Sequence, residues 1–346
     1  MRLLPTIMVC VFLLTTPVSA MEFTAPPVPD EGKQFMPEET ASFQDGLEEL
    51  VRNTIGAIRP DLKEAARVGT SLVSIALIIS IMQTFSIPIK KVTEVVGAVA
   101  ITTLLLLNTQ SMICLAADTV NHISEYGKLL LMVMAAALAA QGGVTASASL
   151  YAGTALFDSL LMSIMQRFLI NGIWLFLALC VANSATGEDF LKKTADFLKG
   201  VLSWTLKTLL MVFTTYLGIT GVVSGTTDAV ALKAAKVTIS SFVPVVGGVL
   251  SDASEAILIS AGVMKNAAGI YGILAVLAVF LHPFLQIGVH YMILKFASAV
   301  CAIFGSKGIS DLIERFSTAM GFLLGITGSC CVMILVSTVC FMKGVG

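Results

Sequence analysis

Three ionisable side chains lie within apolar runs of this chain: Asp158, Lys265 and Lys295. A charge inside a membrane-length apolar segment is costly, so such residues usually face a protein interior or water and serve the passage of ions or solutes. A structural interpretation competes with this one. In it, both lysines extend to the membrane surface and Asp158 lies at a contact between helices. Both interpretations stay open from the residue types alone.

Motifs for covalent or nucleotide chemistry are absent from the sequence. It contains no G-x-x-x-x-G-K-[ST], no H-E-x-x-H and no G-x-S-x-G. His122, His282 and His290 are scattered, and Pro283 separates the last two, so turn or interface histidines are favoured over a shared ligand site. We therefore predict a protein that is not an enzyme and needs no cofactor.

The seven cysteines do not indicate disulfides or a metal site. Cys10 lies in the N-terminal apolar run, and the other six lie in or near apolar spans, where cysteine behaves as a small hydrophobic residue. No pair has the spacing and polar surroundings of a zinc site.

Composition sets the class of protein. The 346 residues are 56% hydrophobic and 12% charged, with a mean hydropathy of +0.92. Soluble domains carry about 25% charged residues. The chain is therefore predicted to be an all-α, polytopic membrane protein, and its net charge of −1 gives no indication of nucleic-acid binding.

The N-terminus is typical of an exported protein. Residues 1–20 combine Arg2, a short apolar core and the small residues Val18 and Ala20 at a cleavage site, which predicts a cleavable signal peptide. Residues 21–67 are then an extracytoplasmic region. Its first part, 21–40, is Pro-rich and acidic and is predicted to be an unstructured tether.

An amphipathic helix follows the tether. Its apolar face is Phe43, Leu47, Leu50, Val51, Ile55 and Ile58, and Glu48 with Arg52 forms an i, i+4 pair. This helix packs on the membrane domain or lipid, or else it is a docking surface for a partner.

Residues 68–346 are predicted to be the membrane domain, with about seven or eight spans. We expect a polar loop at Asp118–Lys128, an ambiguous hairpin or broken segment at 129–166, and a second interfacial amphipathic helix at Glu188–Lys199. Gly269–Phe304 is too long for one span, so it is expected to fold back at His282-Pro283. The predicted spans are Val68–Phe85, Val92–Leu115, Phe168–Ala182, Val201–Val223 and Ala319–Cys340, together with those formed by the ambiguous segments.

The segment 225–266 is too polar for an ordinary span and too apolar for an ordinary loop. It is predicted to be broken or re-entrant, or to line a water-filled cavity, because unpaired backbone cannot face lipid; a helix lying on the surface is the alternative. Its candidate conduit-lining or partner-facing residues are Lys233, Lys236, Pro244, Gly247, Gly248, Asp252, Lys265 and Asn266.

Several short runs in this chain resemble one family. They are ALKAAK at 231–236, SFVPVVGG at 241–248, LSDA at 250–253, KNAAG at 265–269 and GGVTAS at 142–147. These runs, and the order of the elements around them, are similar to the stage III sporulation protein AE family. The first eighty residues carry no distinctive match.

The resemblance implies a role in endospore formation. Members of that family lie in the mother-cell membrane facing the forespore, within an assembly that includes other stage III sporulation membrane proteins, a secretion-type ATPase and ring-forming extracytoplasmic subunits. The resemblance implies a channel or transport apparatus, in contact with membrane lipid and without nucleic acid. A non-conducting scaffold and a stand-alone secondary transporter are the alternatives.

Overall fold

The architecture is a bundle of long α-helices. A computed structural model of the chain describes residues 25–37, 43–85, 90–140, 144–219, 267–304 and 307–344. Within these ranges every regular element is helical, and six helices are long and apolar enough to cross a membrane. The prediction of an all-α polytopic membrane protein is confirmed. The helices are α1 (Asp30–Lys33), α2 (Phe43–Ala57), α3 (Arg59–Phe85), α4 (Lys90–Ala140), α5 (Val144–Ile164), a π-helical turn (Met165–Ile170), α6 (Asn171–Thr186), α7 (Asp189–Ile219), α8 (Ala267–Ile303) and α9 (Lys307–Gly344).

The last helix, α9, forms the centre of the bundle. In its apolar stretch 94% of residues are buried, against 22% for α7. A helix that is apolar on all sides is either buried in protein or faces lipid, and α9 is buried in protein. Helix α8 runs antiparallel to α9, as the pairs Ser298–Ser310 and Tyr291–Ser317 show.

The other helices complete the shell around α9. Helix α3 runs alongside α8, and the Ser80 hydroxyl donates to the Phe304 carbonyl at 2.8 Å. Helix α4 returns beside α3 and reaches α9, where Gly127 faces Ile334. The continuous helical run through α5 and α6 is antiparallel to α9. Helix α7 is antiparallel to that run and places Tyr216 beside Thr154.

The prediction of a polar loop at Asp118–Lys128 is wrong, because these residues lie within helix α4. The 51 residues of α4 form one unbroken helix, about 76 Å long at 1.5 Å per residue. In the supposed loop, Val120, Ile123 and Tyr126 are buried. The polar residues recur at helical spacing on the exposed side, namely Asp118, Asn121, Glu125 and Lys128. The segment is therefore an amphipathic stretch of helix.

The predicted turn at His282-Pro283 is wrong, because helix α8 continues through Pro283. Proline removes one backbone hydrogen bond from a helix, and surrounding helices make this tolerable in a membrane bundle. The extra length does not require a turn because all eight residues of 273–280 are buried against protein. The limit set by bilayer thickness applies to helices that face lipid along their length.

The ambiguous region 129–166 also forms longer helices than expected. Helix α5 passes through the π-helical turn into α6, so Val144–Thr186 is continuous. Gly187 ends α6 in the left-handed conformation, with φ 71°, and its N–H donates to the Asn183 carbonyl at 2.8 Å. The predicted amphipathic helix at Glu188–Lys199 is the first part of α7, not a separate element. Leu191, Ala195 and Leu198 face inward there, whereas Phe190 and Phe197 are exposed.

The N-terminal residues 25–37, named here the strap, are folded onto the bundle. The expectation of an unstructured tether is wrong for these residues. Val28 and Phe35 are buried, and Gly32 packs against Val279 of α8. The Lys33 ammonium donates to the Asp30 carboxylate, and this hydrogen bond lowers the pKa of the exposed Asp30.

The predicted amphipathic helix is α2, which packs on α8. Phe43, Leu50 and Thr54 are buried, and Arg52 pairs with Glu48 at 2.8 Å. Helix α3 then starts at Arg59, with Pro60 in its first turn. The signal peptide, lying outside the described residues, and the extracytoplasmic side of the N-terminus stay predictions.

The six candidate spans are Arg59–Met82, Val96–Ala136, Tyr151–Thr186, Asp189–Tyr216, Gly269–Ile303 and Gly308–Val339. The sequence-based spans divide α4, the α5–α6 run and α8, each of which is continuous in the described part of the chain. The total of seven or eight for the whole chain stays a prediction. Residues 220–266, which hold the predicted broken or re-entrant segment, lie outside the described residues.

Candidate functional site

The predicted site residues divide into two groups. Lys233, Lys236, Pro244, Gly247, Gly248, Asp252, Lys265 and Asn266 all lie outside the described residues, so their conduit or partner role stays a prediction. The other two ionisable residues singled out in apolar runs, Asp158 and Lys295, are described, and both contact α9.

The α8–α9 contact carries a ladder of polar pairs. Ser298 Oγ donates to the Ser310 carbonyl at 3.0 Å, and Ser310 Oγ donates back to the Ser298 carbonyl at 2.9 Å. One turn further along, the Lys295 ammonium is paired with the Glu314 carboxylate. The positive charge of Lys295 is therefore compensated by Glu314 on α9. The structural interpretation of the sequence had placed the Lys295 side chain at the membrane surface without a partner. Reciprocal bonds of this kind fix the register of two helices in a membrane.

A second polar contact joins three helices at the same end of α9. Arg315 Nη1 donates to Asp196 Oδ1 of α7 at 3.1 Å and lies 3.8 Å from Cys180 Sγ of α6. The Arg315 side chain is only 14% exposed, and the Asp196 carboxylate compensates its positive charge. This contact holds the first turns of α7 against the bundle.

The third contact lies between α5 and α9. Ser337 Oγ donates to Asp158 Oδ2 at 2.9 Å, and Asp158 is 4% exposed. Asp158 Oδ1 has no hydrogen-bond partner among the described residues. The structural interpretation, in which Asp158 lies at a contact between helices, is confirmed. Buried carboxylates without a cationic partner are uncommon, so Asp158 is the most unusual group of the described interior.

Two histidines of the bundle, His122 and His282, contact side chains of the strap. His282 Nε2 lies 3.2 Å from Asp61 Oδ2, and the Phe35 ring stacks on the His282 ring with centroids 5.0 Å apart. His122 Nδ1 lies 3.6 Å from Glu31 of the strap. These two histidines are at interfaces, as predicted. His290 is buried within α8, where its Nδ1–H donates to the Gln286 carbonyl at 2.9 Å.

No constellation for covalent or metal chemistry appears among the described residues. They contain no group of three His, Cys, Asp or Glu side chains able to hold a metal ion. Cys114, Cys180, Cys301, Cys330 and Cys331 are unpaired thiols. The arrangement can hold helices in register and can bury one carboxyl group. It does not pair a nucleophile with a base.

Sequence reasoning missed Ser337, Arg315 and the pair Thr154–Tyr216. A signal was present for part of α9, because Ser310, Glu314 and Ser317 recur at i, i+4 and i+7 and predict a polar face. Nothing in the sequence connected Ser337 with Asp158, which are 179 residues apart.

Comparison with known proteins identifies the family. Residues 33–344 match the family described as Stage III sporulation protein AE. The chain belongs to the stage III sporulation protein AE family. Membership places it among sporulation proteins, and the suspected resemblance is confirmed.

A curated relative agrees with this assignment. The Stage III sporulation protein AE of Bacillus subtilis (strain 168) is 20% identical over 222 residues, which cover 64% of this chain and 56% of the relative. The match thus spans little more than half the length of that relative. No solved structure matches the chain.

Proposed function

We propose that this chain is a non-enzymatic membrane subunit of a channel or secretion-like assembly that links mother cell and forespore during endospore formation. The observation that carries the proposal is the family match over residues 33–344, which covers all six candidate spans. The proposed location is the mother-cell membrane around the forespore, with the N-terminus extracytoplasmic. The proposed partners are other stage III sporulation membrane proteins, among them a secretion-type ATPase and ring-forming extracytoplasmic subunits.

The packing of the bundle favours an assembly subunit over a stand-alone transporter. A secondary transporter binds its solute near the bilayer midplane, usually at broken helices with exposed polar backbone. Among the described residues, a pocket between the π-helical turn, α6, α7 and α9 offers no such group, because it is lined by Leu169, Ile173, Leu202, Leu206, Phe322 and Ile326. Six apolar side chains cannot orient a polar solute.

A non-conducting scaffold is the second candidate, and one observation favours it. The centre of the described bundle is occupied by α9, whose apolar stretch is 94% buried. A conduit would then have to form between subunits or involve residues 220–266. Lys233, Lys236, Asp252 and Lys265 are the proposed water-facing or partner-facing positions in that segment.

Affinity purification from sporulating cells tests the assembly. Full-length tagged protein should bring down the ATPase and the ring-forming subunits after mild cross-linking, whereas a tagged multi-pass protein unrelated to sporulation should not. Recovery of neither partner from cells that have engulfed the forespore would contradict the proposal.

Cysteine labelling separates the conduit from the scaffold. Single cysteines replace Lys233, Lys236, Asp252 and Lys265 in a chain whose native cysteines are serine, and membranes are treated with a water-soluble maleimide. A conduit requires labelling along one face of the segment, and protection at every position favours the scaffold. Solute movement by the purified chain alone in liposomes would instead favour the transporter.

A further inference from the structure

Asp158 is an acid group enclosed by the membrane part of the bundle. Within the described ranges it is the one Asp, Glu, Lys or Arg residue that counts as buried, at 4% exposure. Ser337 Oγ is its hydrogen-bond donor at 2.9 Å, and Oδ1 is unpartnered. No described lysine, arginine or histidine forms an ion pair with it. Lys128, the basic residue of neighbouring α4 in this part of the bundle, is exposed.

Burying an ionised carboxylate without a positively charged partner has a high free-energy cost. The cost of moving an isolated ionised carboxyl into a low-dielectric interior is so large that the group usually takes up a proton instead. The Ser337 hydroxyl suits both forms, because it can donate to a carboxylate or accept from a carboxylic acid. The carboxyl can therefore gain or lose a proton without changing its partner.

Two hydroxyl groups lie near Asp158 on the side of α7, and one of them belongs to a partly exposed residue. Thr154 lies one turn before Asp158 on the same face of α5, and its Oγ1 is 3.2 Å from the Tyr216 hydroxyl of α7. The Phe157 ring stacks on the Tyr216 ring at 4.3 Å, which fixes the position of that hydroxyl. Tyr216 is partly exposed, whereas Thr154 and Asp158 are buried. The hydroxyls thus lead from a partly exposed position toward the carboxyl.

In the described part of the chain, the titratable groups that face this site carry no positive charge. Cys330 of α9 is buried, and its thiol lies 3.2 Å from the Met165 sulfur; Cys331 beside it is buried as well. Tyr216 is the titratable group on α7. None of these groups can neutralise a carboxylate at Asp158, so a proton is the counter-charge that the site itself accommodates.

We propose that Asp158 is a reversible proton-binding site inside the membrane domain, reached through the hydroxyls of Tyr216 and Thr154 and held by Ser337. The reaction is the transfer of a proton from hydronium to the Asp158 carboxylate, which gives the carboxylic acid and water. No other bond forms or breaks. The inference concerns the chain itself and does not depend on the proposed sporulation assembly.

Infrared spectroscopy of the full-length protein in lipid nanodiscs tests the site. A protonated carboxyl has a C=O stretching band that is separate from the amide bands and shifts on transfer to D2O. Well above pH about 4, where exposed carboxyls are ionised, we expect this band in the wild-type protein, growing as the pH is lowered, and we expect it to be absent from Asp158→Asn. Asp118→Asn, which changes an exposed carboxyl on α4, should keep the band.

A second variant keeps the test informative if Asp158→Asn does not fold. Ser337→Ala removes the hydrogen bond that Ser337 donates to the carboxyl, so the band should move to higher wavenumber. The proposal is overturned if the band is unchanged in a folded Asp158→Asn protein or by Ser337→Ala. It is also overturned if the band does not respond to pH, which would make Asp158 a permanently neutral structural acid. A buried carboxylate that shows no acid band at any pH would overturn it too.

Discussion

The contact between Gly127 of α4 and Ile334 of α9 gives the sharpest stability prediction. A Cβ at position 127 would lie 2.6 Å from Ile334 Cδ1 and 3.0 Å from both Cγ1 and Cγ2. Ordinary carbon contacts are about 3.5–4.0 Å. Ile334 cannot turn away easily, because β-branched side chains have one strongly preferred χ1 rotamer in a helix. Gly127→Ala must therefore separate the two helices or distort a side chain.

The net effect is the difference between two opposing terms. Overpacking a core costs about 1–3 kcal/mol. Replacing glycine by alanine inside a helix recovers about 0.5–1 kcal/mol. Gly127→Ala should therefore lower the free energy of unfolding by up to about 2.5 kcal/mol.

Gly200→Ala is the matched control. Gly200 lies within α7 and is exposed, and a Cβ there meets no atom within 4 Å. Only the helix-propensity term remains, so this variant should be more stable by about 0.5–1 kcal/mol. Unfolding of both purified variants in mixed micelles, followed by circular dichroism, gives the two free energies. A Gly127→Ala protein as stable as Gly200→Ala would refute the close approach of α4 to α9.

Three further predictions concern the polar contacts and the strap. Ser298→Ala and Ser310→Ala should each cost about 1 kcal/mol, because each removes a hydroxyl that donates to a backbone carbonyl. Their coupling in a double-mutant cycle should not exceed about 0.6 kcal/mol, because the carbonyl acceptors remain in both variants; a coupling several times larger would be inconsistent with that geometry. Arg315→Met should increase hydrogen exchange in the first turns of α7, since it removes the bond to the α7 carboxylate, and unchanged exchange there would count against the contact. Phe35→Ala removes a side chain that is 3% exposed, so protease cleavage within the strap should become faster, while Phe190→Ala at a 73% exposed position should leave the digest unchanged. Equal digestion of both variants would mean that Phe35 does not hold the strap.

The sequence predicted the class of fold because hydropathy alone distinguishes membrane helices from soluble ones. It also predicted α2 and its Glu48–Arg52 pair, which depend only on local spacing. It failed where tertiary packing decides. The polar residues of 118–128 occupy one side of α4, and an average over the segment cannot distinguish an amphipathic helix from a loop.

The errors at Pro283 and in the strap have a related cause. The fold-back at His282-Pro283 followed from a length limit for lipid-facing helices, and residues 273–280 are covered by protein instead. The strap was expected to be unstructured because it is rich in proline and charge. Its position depends on two apolar anchors, Val28 and Phe35, which composition does not reveal.

The candidate site shows how far residue types can lead. Asp158 and Lys295 stood out because charges within apolar runs are rare and costly. Their partners, Ser337 and Glu314, could not be read from the sequence, since each pairing depends on how distant helices pack. Residue type and hydropathy were therefore enough to single out Asp158 and Lys295, whereas their partners could be identified only from the fold.

The role of this chain in endospore formation is tested most directly by counting heat-resistant spores. The gene is deleted in its own endospore-forming host, and spores that survive heating are compared with those of the parent and of a strain in which the full-length chain is restored. We expect the deletion to block development after engulfment, with heat-resistant spores almost abolished and recovered on restoration. A deletion strain that forms heat-resistant spores at the parental frequency would contradict the proposed function.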